Sequence, residues 1–317
     1  MLKLEGLKLT PEEKEAALHR KAARLLHIPE EDVLSVQVLR RSIDAREELH
    51  LVYTVAAEVR QEKQVLRRCR DRRVSRYAPE RYALPEILSP PEVPPVVVGA
   101  GPGGLFAALV LARCGLRPIL LERGRDTTAR QRDVETFWRT GVLNPESNVQ
   151  FGEGGAGAFS DGKLNTGTKD LRHRWILEEL VRCGAPESIL TDAKPHVGTD
   201  YLHIALKNLR RELLDLGADI RFEHQLTDLD IQDGALHGIA VTGPEGTYPL
   251  PCRQLILCPG HSARDTFELL YRRGVPMEAK PFAVGVRIEH PQALVNEAQY
   301  GPGAGHAALG AADYKLA

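Results

Sequence analysis

The sequence predicts an α/β fold in which a parallel sheet carries an inserted β-meander and follows a small α+β domain. Three observations predict it: a glycine-rich turn between an apolar strand and an apolar helix, alternating segments farther along the chain, and a β-α-β-β pattern at the N-terminus. With 317 residues, the chain is long enough for more than one folded unit.

Composition argues against several classes of protein. The chain is 43% hydrophobic and 27% charged with a formal net charge of -1, so bulk charge indicates neither nucleic acid nor a membrane surface as a partner. Its five cysteines are scattered without a C-x-x-C pair, which favours reduced thiols and a cytoplasmic location. No stretch approaches the ~18 apolar residues of a membrane span, and the charged N-terminus is unlike a secretion signal.

A small α+β domain is predicted for residues 1–89. Its first strand covers residues 3–9, and the Val-rich alternating segments 33–41 and 49–59 predict two more strands. Thr10 and Glu13 have the spacing of a capping box with proline at the first helical position, which predicts a helix over PEEKEAALHRKAARLL.

A basic run and a proline-rich segment follow. Residues 60–81 hold nine Arg or Lys and three acidic residues, and we interpret them as a solvated helix or a domain-facing surface because aromatic residues are sparse there. The segment LPEILSPPEVPP, residues 84–95, is too rich in proline for a regular helix or a central strand. We therefore predict an interdomain connection with a boundary near Pro90.

The next segment, VVVGAGPGGLFAALVLARCGLRPILLERG, has the parts of a nucleotide-binding βαβ unit in the required order. A short apolar strand precedes a G-x-G-x-x-G pattern formed by Gly99, Gly101 and Gly104, and an apolar helix and a second buried strand follow. Gly99 permits the tight turn, Gly101 lets the backbone approach a pyrophosphate, and Gly104 lets the helix pack on the strand. The order predicts a Rossmann-like site for an adenine dinucleotide.

The second strand of this unit ends at Glu122, eighteen residues after Gly104. A carboxylate there is placed to accept a hydrogen bond from a ribose hydroxyl and would repel a 2′-phosphate, so we expect no NADP at this site despite the neighbouring Arg123. The βαβ unit alone is compatible with either FAD or NAD.

The downstream pattern favours FAD over NAD. After a helical segment at residues 202–216 come a strand, ADIRFEH, and two alternating segments, LTDLDIQ and LHGIAVT, which Asp233-Gly234 joins with a strong hairpin signal. A further strand, RQLILCPG, follows. A β-meander followed by a strand that ends in a Pro-Gly turn is typical of two-dinucleotide-type flavoproteins.

Four segments resemble a known family: VVVGAGPGGLFAALVLA, FGEGGAGAFSDGKLNT, LILCPGHSARDTFELL and KPFAVGVRIEHPQ. They resemble the FAD-dependent dehydrogenases, NAD(P)/FAD-dependent oxidoreductases that have a small N-terminal domain before a glutathione-reductase-like FAD domain. The resemblance covers nearly the whole chain. It implies an FAD-binding domain at residues 94–275 and an incomplete substrate domain from 276–317, because members of that family are considerably longer.

The resemblance also implies which residues contact the cofactor. The pyrophosphate is expected at the glycine-rich turn, the ribose at the end of the second strand, the adenine beside the first meander strand, and a close backbone approach at the CPG turn. The residues concerned are Gly99, Gly101, Pro102, Gly103, Gly104, Glu122, Leu226 and Gly260. We also expect a cofactor contact from Arg123, which follows Glu122.

A second glycine-rich segment, residues 150–170, has six glycines and almost no large apolar side chains. We interpret it as a loop running past the ribityl chain and the flavin ring. Gly154, Gly155 and Gly157 would allow close backbone approach, while polar contacts would come from Ser160, Asp161 and Lys163.

The flavin itself carries the redox chemistry, so the reaction does not strictly need a catalytic acid or base from the protein, and we assign none. The histidines lack metal-ligand spacing, so we expect no metal. A small-molecule substrate and an electron partner such as NAD(P)H are expected, with their identities open. Two alternatives also stay open: an NAD-dependent oxidoreductase, and a nucleic-acid- or protein-binding protein that uses the basic run and holds a structural dinucleotide.

Overall fold

A computed structural model describes residues 1–159, 164, 170–281, 284–286 and 288–313. They form two compact units. The first unit contains Met1–Glu80, Glu187–Pro195 and Pro281–Ala317, and the second contains Arg81–Pro186 and His196–Lys280. The first unit is thus discontinuous in sequence. The boundaries proposed from sequence, at residues 89, 94 and 275, stay predictions.

The secondary structure is numbered in chain order. The strands are β1 Leu2–Leu9, β2 Val33–Asp44, β3 His50–Val59, β4 Val74–Arg76, β5 Val96–Val98, β6 Ile119–Glu122, β7 Asp219–Phe222, β8 Gln225–Gln232, β9 Ala235–Gly243, β10 Gly246–Pro251 and β11 Leu255–Leu257. The helices are α1 Ala17–Leu26, α2 Glu62–Arg68, α3 Pro102–Arg113, α4 Thr127–Thr140, α5 Leu171–Arg182, α6 Thr199–Asp215, α7 Arg264–Arg272 and α8 Gln292–Tyr300. Among the described residues, no helix combines the length and apolar character needed to cross a membrane.

The first unit is built on an antiparallel sheet with strand order β2-β3-β1-β4. Alternate residues of β1, such as Leu2 and Leu4, are fully buried and pack with the apolar face of α1. Tyr300 and Leu309 are buried in the same core, so the C-terminal segment completes the unit that the N-terminal residues begin.

The predicted start of α1 was wrong. One contact of the capping box does form, since Thr10 N donates to Glu13 Oε2 at 3.0 Å; Glu13 N donates to the backbone oxygen of Thr10, at 3.1 Å, and not to its hydroxyl. They close an isolated turn, and the helix begins only at Ala17. Residues 11–16 have no large apolar side chain to bury, whereas Leu18 reaches the core. The helix therefore begins where burial can stabilise it.

The second unit contains a parallel sheet with strand order β11-β5-β6-β7 and a separate antiparallel meander, β10-β9-β8. The predicted hairpin between β8 and β9 is confirmed, because Asp233 and Gly234 have φ values of 51° and 77°. Side chains of β5 and β6, including Val98 and Leu121, share a core with Ile239 of the meander. The parallel sheet with its inserted meander confirms the predicted Rossmann-like fold.

The parallel sheet determines where ligand-binding residues meet. Strands β5, β6 and β11 run in the same direction, so their carboxyl ends lie at one edge. Gly99 follows β5 there, Glu122 ends β6, and Cys258 follows β11. Ligands of open α/β sheets bind at this edge.

Leu120 offers a direct test of the packing of the parallel sheet, because its side chain in β6 is fully buried. We expect Leu120→Ala to lower the free energy of unfolding by about 3 kcal/mol, from lost apolar burial and the cavity left behind. Leu143→Ala is the matched control: its side chain is 52% exposed, and we expect a change within about 0.5 kcal/mol. Denaturant titration followed by circular dichroism measures both, and equal losses would contradict the described packing.

Candidate functional site

Two glycines of the G-x-G-x-x-G turn are required by the protein backbone itself. Gly99 has a φ of 96°, and a Cβ on it would overlap the carbonyl oxygen of Cys258. A Cβ on Gly104 would overlap the carbonyl oxygen of Gly99. These contacts place the end of β11 against the turn and the start of α3 against β5, so side chains are excluded at both positions.

Gly101 differs from its two neighbours in the motif. Its φ of −71° and ψ of −179° are open to any residue. The nearest atom to a Cβ on Gly101 would be Gly155 Cα, at 3.9 Å, which is an ordinary contact. The fold itself therefore gives no reason for glycine at this position, whereas a ligand lying close to the backbone would.

The turn leads directly into the N-terminus of α3. Gly101 is the N-cap residue, Pro102 occupies the first helical position, and Leu105 N donates to Gly101 O at 2.9 Å. The N–H groups in the first turn of an α-helix have no intrahelical acceptor, so those of Gly103 and Gly104 are available at the positive end of the helix dipole. An anion fits this position.

Glu122 lies at the same edge and is 4% exposed. Its Oε2 accepts a hydrogen bond from Ala100 N at 2.7 Å, and its Oε1 accepts one from Gly124 N at 2.8 Å. Each carboxylate oxygen has a second acceptor position. Glu122 thus joins the glycine-rich turn to the turn after β6 and keeps capacity for a ribose hydroxyl.

Arg123, which follows Glu122, points its side chain at other protein groups. Its guanidinium donates to Glu146 at 2.7 Å and to Asp265 at 2.9 Å, and it lies 4.3 Å from the ring centre of Phe151. Burial lowers the pKa of Arg123, but the hydrogen bonds and charges of the two carboxylates outweigh burial and raise it. Both sides of the guanidinium are thus occupied by carboxylates. Because Asp265 lies in α7 and Glu146 lies in the loop before Phe151, Arg123 joins these two elements.

Leu226, Gly260 and Cys258 reach the same region. His224 N donates to Glu122 O at 2.9 Å, which holds the start of β8, with Leu226, beside the end of β6. Gly260 has a φ of 75° in the turn after β11. The sulfur of Cys258 lies 3.5 Å from the position of a Cβ on Gly103, and burial raises the pKa of the thiol.

The second glycine-rich segment packs onto the first. Gly154 N donates to Ala100 O at 2.8 Å, and a Cβ on Gly155 would lie 3.1 Å from Pro102 Cδ. Gly152, Gly154 and Gly155 all have positive φ, and a side chain at Gly154 would overlap Leu206. Backbone conformation and packing thus favour glycine at these positions independently of any ligand. The predicted contacts from Ser160, Asp161 and Lys163 lie outside the described residues.

Two charged residues at the centre of this region were missed by sequence reasoning. Arg130 in α4 is fully buried, and within the part of the chain that the structure describes its guanidinium donates to backbone carbonyls alone, all between residues 148 and 155. Its acceptors are the carbonyl oxygens of Asn148, Val149, Gly152, Glu153 and Gly155, at 2.8, 3.0, 3.4, 2.7 and 2.9 Å. The available signal was the spacing of Thr127, Arg130 and Val134, which places them on one face of the helix.

Glu153 is the second of these residues, and it is also fully buried. Its Oε2 accepts from Thr127 N at 2.7 Å, from the Thr127 hydroxyl, and from Arg210 Nη1 at 2.9 Å. Its Oε1 has no hydrogen-bond partner among the described residues. Burial raises the pKa of the Glu153 carboxyl, although the bonds from Thr127 and the charge of Arg210 lower it in part. The carboxyl ties the second glycine-rich segment to the start of α4.

The remaining titratable residues considered from sequence are dispersed. His261 is exposed, with its Nδ1 3.2 Å from the Ser262 hydroxyl, and His203 Nε2 lies 3.0 Å from Ala158 O. Asp265, in the first turn of α7, pairs with Arg123. Within the described ranges, no group of three or more His, Cys, Asp or Glu could hold a metal ion.

Comparison with known families identifies three segments of the chain. Residues 92–272, more than half of the 317, match the family described as FAD binding domain. Residues 281–317 match the family described as FAD-dependent protein, C-terminal domain-like, and residues 1–60 match a domain of unknown function. The FAD binding domain match covers β5 to α7 and confirms the predicted cofactor, FAD.

Individual relatives match over different lengths. An uncharacterized protein of Clostridium beijerinckii is 45% identical over 99% of this chain and 59% of its own length. The 12-dehydrotetracycline 5-monooxygenase/anhydrotetracycline 6-monooxygenase of Streptomyces rimosus is 30% identical over 52% of this chain and 30% of its own length. The crystal structure of Thermovibrio ammonificans THI4 aligns with a TM-score of 0.39 at 17% identity, covering 58% of this chain and 64% of that one. The chain spans less than two thirds of all three.

Neighbouring glycines of the turn provide a matched pair of substitutions. A Cβ on Gly104 would overlap Gly99 O, while the nearest atom to one on Gly103 is Cys258 Sγ at 3.5 Å. We therefore expect Gly104→Ala to unfold the second unit or to lower its free energy of unfolding by more than about 2 kcal/mol, as over-packing does. Gly103→Ala should change it by less than about 1 kcal/mol. Thermal melts of the two variants test the described contact, and an equally tolerated Gly104→Ala would contradict it.

The buried Glu153 carboxyl predicts a pH dependence of stability. Because its folded-state pKa is raised above the ordinary 4.5, the native state binds more protons than the unfolded state above that pH. The stability that Glu153 contributes is thus present at low pH and is lost as the pH rises through the raised pKa. Relative to wild type, Glu153→Gln should gain stability as the pH rises from about 4 to about 8. Glu135→Gln, at an exposed position of α4, is the control, and parallel pH profiles for all three proteins would contradict the prediction.

Proposed function

The chain belongs to the FAD binding domain family of FAD-dependent oxidoreductases, and we propose that it binds the adenosine and pyrophosphate half of FAD where β5, β6 and β11 end. Gly101 carries the proposal. It is a glycine of the turn for which the fold gives no steric or conformational reason, and it lies at the N-terminus of α3. The residues present fit the cofactor, because a diphosphate needs close backbone approach at that position.

The diphosphate and the adenosine ribose of FAD each have a matching group in the chain. The N–H groups of Gly103 and Gly104 are placed to donate to the diphosphate oxygens. The Glu122 carboxylate is placed to accept from the adenosine ribose while it keeps its bonds to Ala100 and Gly124. A 2′-phosphate would be repelled there, and Arg123 cannot compensate because two carboxylates already occupy its guanidinium.

We propose that the reaction is a two-electron oxidation of a small molecule, as in the dehydrogenases that the sequence resembles. FAD supplies the redox chemistry at its flavin ring when bound. The described residues bind and orient the adenosine half, and Gly154 and Gly155 fix the second glycine-rich segment beside it. The proposed electron partner is the NAD(P)⁺/NAD(P)H couple, whose oxidised form would accept the two electrons that the substrate gives up and leave as NAD(P)H. The scattered free cysteines support a cytoplasmic location.

A monooxygenase is the second candidate, because the Streptomyces rimosus relative bears that name at 30% identity over 52% of this chain. The two reactions differ in their oxygen requirement. A dehydrogenase substrate reduces FAD without oxygen, whereas a monooxygenase consumes NAD(P)H and O₂ and leaves one oxygen atom in its product. Product analysis under labelled O₂ separates the two.

The test of the cofactor site is the visible spectrum of the purified chain, with mass spectrometry of the compound released by acid. We expect a flavin spectrum and released FAD. Gly101→Val should keep the thermal stability of the flavin-free protein, since the first added carbon meets only Gly155 Cα at 3.9 Å, and should reduce FAD affinity by at least about 100-fold. A colourless wild-type chain that takes up no added FAD, or a Gly101→Val variant that retains it fully, would contradict the proposed site.

A further inference from the structure

The side chain of Arg130 is organised around the second glycine-rich segment. Its guanidinium donates to five carbonyl oxygens between Asn148 and Gly155, at distances from 2.7 to 3.4 Å. It also lies 4.7 Å from the ring centre of Phe159. Among the described residues, no carboxylate forms an ion pair with it. The carbonyls of Gly152 and Gly155 also accept from Gly155 N and Ala158 N, at 3.1 and 3.2 Å. Without Arg130 the other three carbonyls would have no hydrogen-bond donor among the described residues, which is costly for buried groups.

The orientation of those carbonyls determines where the opposite peptide groups point. A trans peptide directs its N–H group away from its carbonyl. Because the Gly155 carbonyl points at Arg130, the N–H of Ala156 points to the opposite side, and Ala156 is exposed. The Glu153 carbonyl also points at Arg130, so the N–H of Gly154 points to the opposite side, where it donates to Ala100 O in the first glycine-rich turn. Arg130 thus turns the donor side of the segment toward that turn.

The position of this donor side relative to Gly101 follows from the glycine contacts. Gly155 Cα lies 3.9 Å from the position of a Cβ on Gly101. The space beside Gly101 that the proposed diphosphate needs is therefore bounded on one side by the segment that Arg130 holds. Burial lowers the pKa of Arg130 to about 10, so the guanidinium remains charged at neutral pH.

We propose that Arg130 is a positioning residue for the pyrophosphate of FAD: it holds residues 148–155 in the conformation that completes the diphosphate site opposite Gly101. This inference rests on the proposed function. It assigns to a residue remote from the G-x-G-x-x-G turn a specific effect on the diphosphate and none on the adenosine, whose ribose is the proposed partner of Glu122.

The test compares three probes, FAD, ADP and adenosine, titrated calorimetrically onto the full chain after flavin removal. Arg130→Met removes the donors, and Arg130→Lys keeps a positive charge without the planar fork. We expect both to weaken FAD and ADP binding by at least about tenfold, as the loss of charged hydrogen bonds does, and to leave adenosine binding unchanged. Arg132→Met, an exposed arginine of the same helix, should leave all three unchanged.

The outcomes separate positioning from charge and from a merely structural role. Arg130→Lys with wild-type affinity for FAD would show that charge alone suffices and would overturn the proposal, as would an equal loss of adenosine binding. If Arg130→Met does not fold, Gly155→Ala carries the test. An added Cβ would lie 3.1 Å from Pro102 Cδ and so disturb the same contact, and the same selective loss is expected. Wild type that binds ADP but not FAD, or neither, contradicts the proposed function itself before any variant is compared.

Discussion

The close approach of three backbone segments at the carboxyl edge of the parallel sheet is the constraint on which the site depends. The carbonyl of Cys258 lies against Gly99, the carbonyl of Gly99 lies against Gly104, and Gly154 N donates to Ala100 O at 2.8 Å. Side chains are excluded at Gly99 and Gly104, so peptide groups form most of the surface where these segments meet. Such a surface offers N–H donors at short range, which suits a bulky anion better than a surface of flexible charged side chains.

Charged side chains are buried where these segments pack together, and most of their hydrogen-bond partners are peptide groups. Glu122 accepts from two backbone N–H groups, and Arg130 donates to five backbone carbonyls. A hydrogen bond between a charged group and a peptide group contributes roughly 1.5–3 kcal/mol, whereas burying an ion costs several kcal/mol. Several such bonds are needed for each ion, and this explains why both residues lie where turns place many peptide groups together.

The glycine-rich turn, β5, α3, β6 and the meander could be predicted from sequence because their signals are local. A turn that must bring backbones together requires glycine at fixed spacing, and Asp233-Gly234 specifies a two-residue hairpin. The start of α1 could not be predicted from sequence, because the capping pattern at Thr10 is equally compatible with the isolated turn that forms. Whether a helix continues from such a pattern depends on the tertiary burial that begins at Leu18.

Arg123 and Arg130 show why the site residues were harder to predict than the fold. Sequence proximity to Glu122 favoured Arg123 as a cofactor contact, but Glu146 and Asp265 cancel its charge locally. Arg130 lies in a helix whose polar sequence suggests exposure, and nothing in the sequence indicates that its acceptors are carbonyls 18 to 25 residues away. A guanidinium in ion pairs with two carboxylates adds little to the attraction for a phosphate. Among the described residues Arg130 forms no ion pair and its hydrogen bonds go to carbonyls, although the charges of Glu122 and Glu153 act on it and raise its pKa. The arginine better suited to influence a diphosphate is therefore the one that the sequence alone does not reveal.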